Sequence, residues 1–152
     1  MAEVDIIVRS KRTGRTVLAV EVKLGGQLQL ACEQLRNYMK LVGCTTGFVI
    51  VGHKLALFAE RYGQAPSGSI ELIGEYDTSS VLSLNVPNGS GKDVGFQFER
   101  QVQGWLESLT DSTSVEQLPD DIKAAFREHV LPWVEVGEIH ATGLRTQHTP
   151  RV

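Results

Sequence analysis

The sequence predicts an α/β domain with a mixed β-sheet core flanked by helices and a helical segment at its C-terminal end. Three observations predict this class: short β-branched runs separated by turn residues, one amphipathic helix between two of those runs, and helical periodicity after residue 96. A length of 152 residues fits one domain, which we place at residues 1–139. Residues 140–152 are polar and aperiodic, and we expect them to be a flexible tail or to pack on a partner.

A hairpin opens the chain. Residues 4–9 and 16–23 are apolar and rich in β-branched side chains, and a polar stretch with a glycine separates them. Such runs on either side of a turn are typical of paired strands. Within the second run, Glu21 and Lys23 share one face because side chains alternate along a strand. The hairpin can bring Asp5 of the first strand beside them.

An amphipathic helix over residues 27–42 connects this hairpin to a third strand. Its apolar positions recur every three or four residues, and they are Leu28, Ala31, Cys32, Leu35, Met39 and Val42. Gln34 and Tyr38 stack along the edge of that stripe. The continuous apolar run at residues 46–51 predicts a buried strand parallel to residues 16–23.

The rest of the chain predicts a second hairpin and two helices. Residues 54–77 contain two strand-like runs with turn residues between them. Residues 96–136 contain the helical patterns, one at 96–109 and one at 120–136.

Composition excludes several classes of protein. Two cysteines are too few for a disulfide scaffold or a four-thiolate zinc site. No apolar run approaches the roughly 18 residues that a membrane span needs, and the N-terminus lacks a signal-peptide pattern. We therefore expect a cytoplasmic protein without a membrane partner.

The formal net charge of −3 combines two different halves. Residues 1–62 carry nine lysines and arginines against five acids, a net charge of +4, and the remainder carries six against thirteen, a net charge of −7. Arg9, Lys11, Arg12 and Arg15 cluster in and beside the first turn. They are available for sequence-independent contacts with nucleic-acid phosphates. A solvated charged turn is the alternative interpretation.

Asp5, Glu21 and Lys23 form the candidate for chemistry. Mg²⁺ takes oxygen ligands from one or two carboxylates and leaves positions for water and phosphate oxygens. An exposed ion pair is the ordinary interpretation of a glutamate and a lysine two positions apart on a strand. Here the pair ends an apolar run, where burying charged groups is costly unless a cation or a hydrogen-bonded partner compensates.

Together, Asp5, Glu21-Val22-Lys23 and the Gln34 to Tyr38 segment resemble the PD-(D/E)xK nuclease superfamily, which has a restriction-endonuclease-like fold. The similarity is to the variety with a QxxxY motif, found in RecB-type nuclease domains and in N-terminal nuclease regions of some restriction enzymes. It covers residues 3–52. It implies hydrolysis of phosphodiester bonds in DNA with Mg²⁺ or Mn²⁺, in restriction, defence or DNA repair.

The resemblance also implies roles for individual residues. Asp5 and Glu21 would be the metal ligands, and the main-chain carbonyl of Val22 is a candidate third ligand. Lys23 would orient the attacking water. Two residues of the helix, Gln34 and Tyr38, would support the metal and the phosphate backbone.

The chain departs from the family in two respects. The residue before Asp5 is Val4 rather than proline, a variation that the family tolerates. Members often have a glutamate on a helix upstream of the motif aspartate, and only four residues precede Asp5. Either that helix is dispensable, or a partner subunit or a second copy in a homodimer replaces it, or the chain is an incomplete version. A different hypothesis is a catalytically inactive domain of the same fold that binds nucleic acid or a protein partner.

Overall fold

A computed structural model describes residues 4–60, 69–84 and 91–142 of this chain. Its strands are β1 (Ile6–Ser10), β2 (Thr16–Lys23), β3 (Thr46–Val51), β4 (Lys54–Glu60), β5 (Ile70–Asp77) and β6 (Gly137–Ala141). Its helices are α1 (Leu28–Val42), α2 (Gly91–Ser108), α3 (Ser112–Glu116), α4 (Asp120–His129) and α5 (Leu131–Val136). The predicted α/β class with a mixed sheet and flanking helices is confirmed.

The strands described form one six-stranded sheet in the order β5-β4-β3-β2-β1-β6. β2 and β3 are parallel, as predicted from the helix between them, and the other neighbours are antiparallel. Both predicted hairpins are confirmed as strand pairs. The turn of the second hairpin, at residues 63–68, lies outside the described residues.

Side chains alternate between the two faces of the sheet along each strand, so the core has two layers. In β2, Leu18, Val20 and Val22 face the helices α2 to α5, whereas Ala19 belongs to the apolar cluster beneath α1. Glu21 is two residues beyond Ala19, so it points to the same side. The C-terminal helices thus cover one face of the sheet, and Phe126 of α4 contacts Phe48 of β3 with ring centroids 5.4 Å apart.

The helix α1 covers the other face and agrees closely with its prediction. Ala31, Leu35 and Met39 are buried against the sheet. Gly43 ends the helix in the left-handed conformation, at φ 75°, and its N–H donates to the carbonyl of Met39. Val42, which the sequence predicts in the apolar stripe, is 43% exposed in the last turn of α1.

The C-terminal helical prediction is partly wrong. α2 begins at Gly91, earlier than predicted, and the predicted helix over 120–136 is divided into α4 and α5. Pro132 lies in the first turn of α5, where its missing N–H is tolerated, whereas in the middle of one long helix it would remove a hydrogen bond. The short helix α3 was not predicted. Asp111 caps it by accepting a hydrogen bond from the Thr113 N–H.

The sheet continues two residues beyond residue 139, the predicted end of the domain, into the segment predicted to be a flexible tail. Residues 137–141 form β6, which pairs with β1 from Ile6↔Ala141 to Ser10↔Gly137. Pairing with β1 gives the main-chain groups of β6 hydrogen-bond partners, and Ile139 packs against the core. Residues 143–152 lie outside the described residues.

The contact between α1 and β3 depends on Gly47. A Cβ added there would lie 2.9 Å from the Ala19 carbonyl and 2.9 Å from the Met39 sulfur.

We expect Gly47→Ala to lower the free energy of unfolding by about 1–3 kcal/mol, since overpacking displaces α1. Gly104→Ala is the control. Gly104 has open space around it within α2, so alanine there should raise stability by about 0.5–1 kcal/mol. Urea denaturation compares the two variants, and equal effects would contradict the tight α1–β3 contact.

Candidate functional site

The β1–β2 hairpin brings three of the predicted site residues together. Ile6 pairs with Val20, so the preceding position places Asp5 opposite Glu21. Lys23 Nζ lies 3.5 Å from Glu21 Oε2. Glu21 is only 3% exposed, whereas the side chain of Lys23 is 42% exposed. A nearly buried carboxylate therefore lies between a second acid and an ammonium group that reaches solvent.

Main-chain hydrogen bonds from both neighbouring strands hold Asp5 in place. Its Oδ2 accepts from the Val22 N–H at 2.8 Å, and its own N–H donates to the Val20 carbonyl at 3.1 Å. On the other side, the N–H of Thr142 donates to the Asp5 carbonyl at 3.0 Å, and the Thr142 hydroxyl donates to the carbonyl of Val4. Sequence reasoning missed Thr142. The weak signal for it was the alternation of polar and apolar residues from Glu138 onward.

The electrostatics of the cluster are dominated by the burial of Glu21. Desolvation, with a further contribution from the negative charge of Asp5, raises the pKa of Glu21 to about 7, and Lys23 opposes the shift. Without a cation, Glu21 therefore takes up a proton near neutral pH. A divalent cation between the two acids would favour the ionised form of Glu21 and displace that proton.

The donor set fits a hard divalent cation. Asp5 and Glu21 supply carboxylate oxygens, and the main chain of Val22 faces Asp5 through its N–H. The carbonyl of Val22 lies on the same side of β2, since the N–H and C=O of one strand residue face the same neighbouring strand. Among residues 4–60, 69–84 and 91–142, no three His, Cys, Asp or Glu side chains form a metal-binding group. Two carboxylates completed by water and main-chain oxygen are typical of Mg²⁺.

The two predicted residues of α1 lie on the helix that covers this face of the sheet. Tyr38 is half-buried and packs against the apolar cluster beneath α1. Gln34 is exposed. Their supporting role at the site stays a prediction.

The basic residues of the first turn lie at the opposite end of the hairpin from the carboxylates. Arg15 precedes Glu21 by six residues, which corresponds to ~20 Å along a strand. Lys11, Arg12 and Arg15 are exposed in or beside the turn, and Arg9 is exposed on β1 opposite Glu138. Any phosphates that they contact would therefore be several nucleotides from the carboxylates.

The chain matches no protein-family model, no curated protein and no solved structure. A function for it therefore has to follow from the chemistry of the site. None of the helices in the described ranges has the length and apolar character needed to cross a membrane.

Burial of Glu21 makes stability depend on pH. Its pKa is raised in the folded state, so the folded chain holds the extra proton between about pH 4.5 and 7, and stability falls as pH rises through that range. Glu21→Gln removes this dependence. In metal-free buffer we expect the stability of Glu21→Gln relative to wild type to increase by on the order of 2–3 kcal/mol between pH 4.5 and pH 8.

Thermal or urea unfolding at several pH values measures this difference. Glu135→Gln is the matched control, because it makes the same substitution at an exposed position of α5 that does not belong to the cluster. The same pH dependence in both variants, or none for Glu21→Gln, would contradict the raised pKa of Glu21.

Proposed function

We propose that this chain is a metal-dependent nuclease that hydrolyses phosphodiester bonds of DNA, with Mg²⁺ or Mn²⁺ held by Asp5 and Glu21. The observation that carries the proposal is the placement of the nearly buried Glu21 carboxylate beside Asp5 and within 3.5 Å of Lys23. Two neighbouring carboxylates that are poorly solvated oppose folding, because they lose hydration and repel each other. A cation between them offsets both costs.

The position of the cluster in the sheet supports the same function. Glu21 and Lys23 lie at the carboxyl end of β2, which runs parallel to β3. In open α/β sheets, ligands bind beyond the carboxyl ends of the parallel strands. Lys23 is partly exposed there, so its ammonium group can reach a substrate that approaches from solvent.

Each residue then has a distinct role. Asp5 and Glu21 hold the cation, with the Val22 carbonyl as the third protein ligand, and the hydrogen bond from Val22 N–H keeps the Asp5 carboxylate oriented. When bound, the cation polarises the scissile phosphate and lowers the pKa of a water molecule. The Lys23 ammonium orients the attacking water and stabilises negative charge that develops on the phosphate.

The finer parts of the proposal come from the resemblance of the motifs to the PD-(D/E)xK superfamily. They are the restriction-endonuclease-like fold, support of the site by Gln34 and Tyr38, 5′-phosphate products and a role in restriction, defence or repair. A homodimer or a complex with a partner subunit belongs to the same proposal. Cys32 and Cys44 are both free thiols, which suits a reducing cytoplasm.

A second candidate function is a catalytically inactive domain that binds nucleic acid or a protein partner. The hydrogen bond from Val22 N–H to Asp5 favours it, since this carboxylate already has a structural partner. The ion pair of Lys23 with Glu21 likewise gives each group an oppositely charged partner without a metal. In this case DNA binding would survive Glu21→Ala and weaken as salt rises.

Cleavage assays on single- and double-stranded DNA test the nuclease proposal. We expect wild type to cleave in Mg²⁺ or Mn²⁺ and to be inactive in EDTA. Asp5→Asn, Glu21→Gln and Lys23→Ala should each lose roughly 10²-fold or more in rate, because each removes a metal ligand or charge stabilisation at the phosphate. Lys40→Ala removes an exposed cation from α1 and serves as the control, with cleavage like that of wild type.

Two results would count against the nuclease. If the three site variants cleave as fast as wild type, the activity does not come from this cluster. The other result is a folded wild type that cleaves neither single- nor double-stranded DNA with either metal. If wild type and Glu21→Ala then bind DNA with equal affinity, the chain is an inactive binding domain.

A further inference from the structure

A pocket of about 590 Å³ lies at the end of the sheet opposite the carboxylates. It is bounded by the β1–β2 turn, the C-terminal end of α1 and the helix α5. Its volume lies within the range typical of ligand sites, roughly 300–1,000 Å³. The residues around it combine positive charge with an apolar wall, and that combination limits which ligands fit.

The positive charge comes from Lys11, Arg12 and Arg15, which all line the pocket and are all exposed. None of the ion pairs between described residues involves these three, and the described lining contains no carboxylate. The carboxyl end of α1 faces the same region and contributes about −0.5 of a charge. Three full positive charges outweigh this partial charge, so the pocket attracts anions.

The apolar wall comes from Val42, Trp133 and Val136. Trp133 is half-buried, and its indole N–H donates to the Thr46 hydroxyl at 3.1 Å, which fixes the orientation of the ring. Val42 and Val136 are 43% and 49% exposed. A fixed indole in a basic groove is the kind of surface on which nucleic-acid bases stack.

The turn at the mouth of the pocket is ordered. The hydroxyl of Ser10 accepts hydrogen bonds from the N–H groups of Arg12 and Thr13, and the Ser10 carbonyl accepts from the Gly14 N–H at 2.8 Å. Gly14 adopts φ 74°, a left-handed conformation that glycine takes without strain. The main chain that carries the three cations is therefore held in place before a ligand arrives.

We infer that this pocket binds one nucleotide of a single-stranded nucleic acid, with the phosphate at Lys11, Arg12 and Arg15 and the base against Trp133. A simple anion would leave the apolar wall exposed, and an uncharged aromatic molecule would leave three cations unpaired. The inference rests on the proposed function, because the same strand would extend from the pocket to the carboxylates. That separation of ~20 Å corresponds to about six nucleotides at the 3.4 Å rise that a strand has in a duplex, and to fewer in an extended strand.

Binding without metal tests this inference separately from cleavage. In EDTA, a 5′-phosphorylated DNA strand of ten nucleotides should quench Trp133 fluorescence in a Trp105→Phe background, which leaves Trp133 as the only indole. The double variant Arg12→Gln/Arg15→Gln should lose roughly tenfold in affinity at low salt. The slope of log affinity against log salt should fall by up to about 0.7, since the pocket holds one phosphate and each single-strand phosphate contact contributes about 0.7.

Arg100→Gln is the control, because it removes one exposed cation from α2 outside the pocket and should leave affinity within twofold of wild type. Unchanged affinity in the double variant, or no quenching of Trp133, would overturn the inference. Deoxyadenosine monophosphate binding as tightly as the decanucleotide would also overturn it, since the pocket would then be a site for free nucleotides. Strand binding that depends on the pocket in a chain that never cleaves DNA would support the inference and reject the nuclease proposal.

Discussion

The pairing of β1 with β2 determines where the other parts of this molecule lie. It places Asp5 opposite Glu21 and leaves Lys23 at the solvent-facing end of β2. β3 extends the sheet from the far side of β2, and β6 holds the main chain of Asp5 through Thr142. Because β1 lies between two strands, the main chain of Asp5 cannot move away from Glu21 without breaking hydrogen bonds, and the Val22 N–H holds the carboxylate. The close approach of the two acids is therefore a property of the fold.

This arrangement opposes the stability of the domain that contains it. The two apolar layers on either side of the sheet favour folding, whereas the dehydrated Glu21 beside Asp5 opposes it at neutral pH. Domains of this size are stable by only about 5–15 kcal/mol, so a penalty of a few kcal/mol is a substantial fraction. Groups that a fold keeps in an unfavourable state are commonly those that act on a ligand. Lys23 reduces the penalty, and a divalent cation would remove more of it.

The parts that could be predicted from sequence are those set by local periodicity. The strands β1 to β3, the helix α1 and the shared face of Glu21 and Lys23 all follow from alternation or helical spacing within short windows. The edge pairing of β6 with β1 joins residues about 130 positions apart, and no local pattern contains that partner. Pro132 is a local signal for the break between α4 and α5, but the prediction of one helix over 120–136 did not use it. The basic pocket could not be predicted, because the tertiary fold alone brings Trp133 and Arg15 to the same pocket.

The central claim is that Asp5 and Glu21 share one divalent cation. Crystals of the full chain grown above pH 7 and soaked in Mn²⁺ test it directly through the anomalous scattering of manganese. The predicted result is an anomalous peak about 2.1 Å from a carboxylate oxygen of each residue, with Lys23 Nζ outside the metal's ligands. The same soak of Glu21→Gln crystals should lack the peak. Manganese bound only elsewhere on wild type, with the pair of Lys23 and Glu21 unchanged, would contradict the claim.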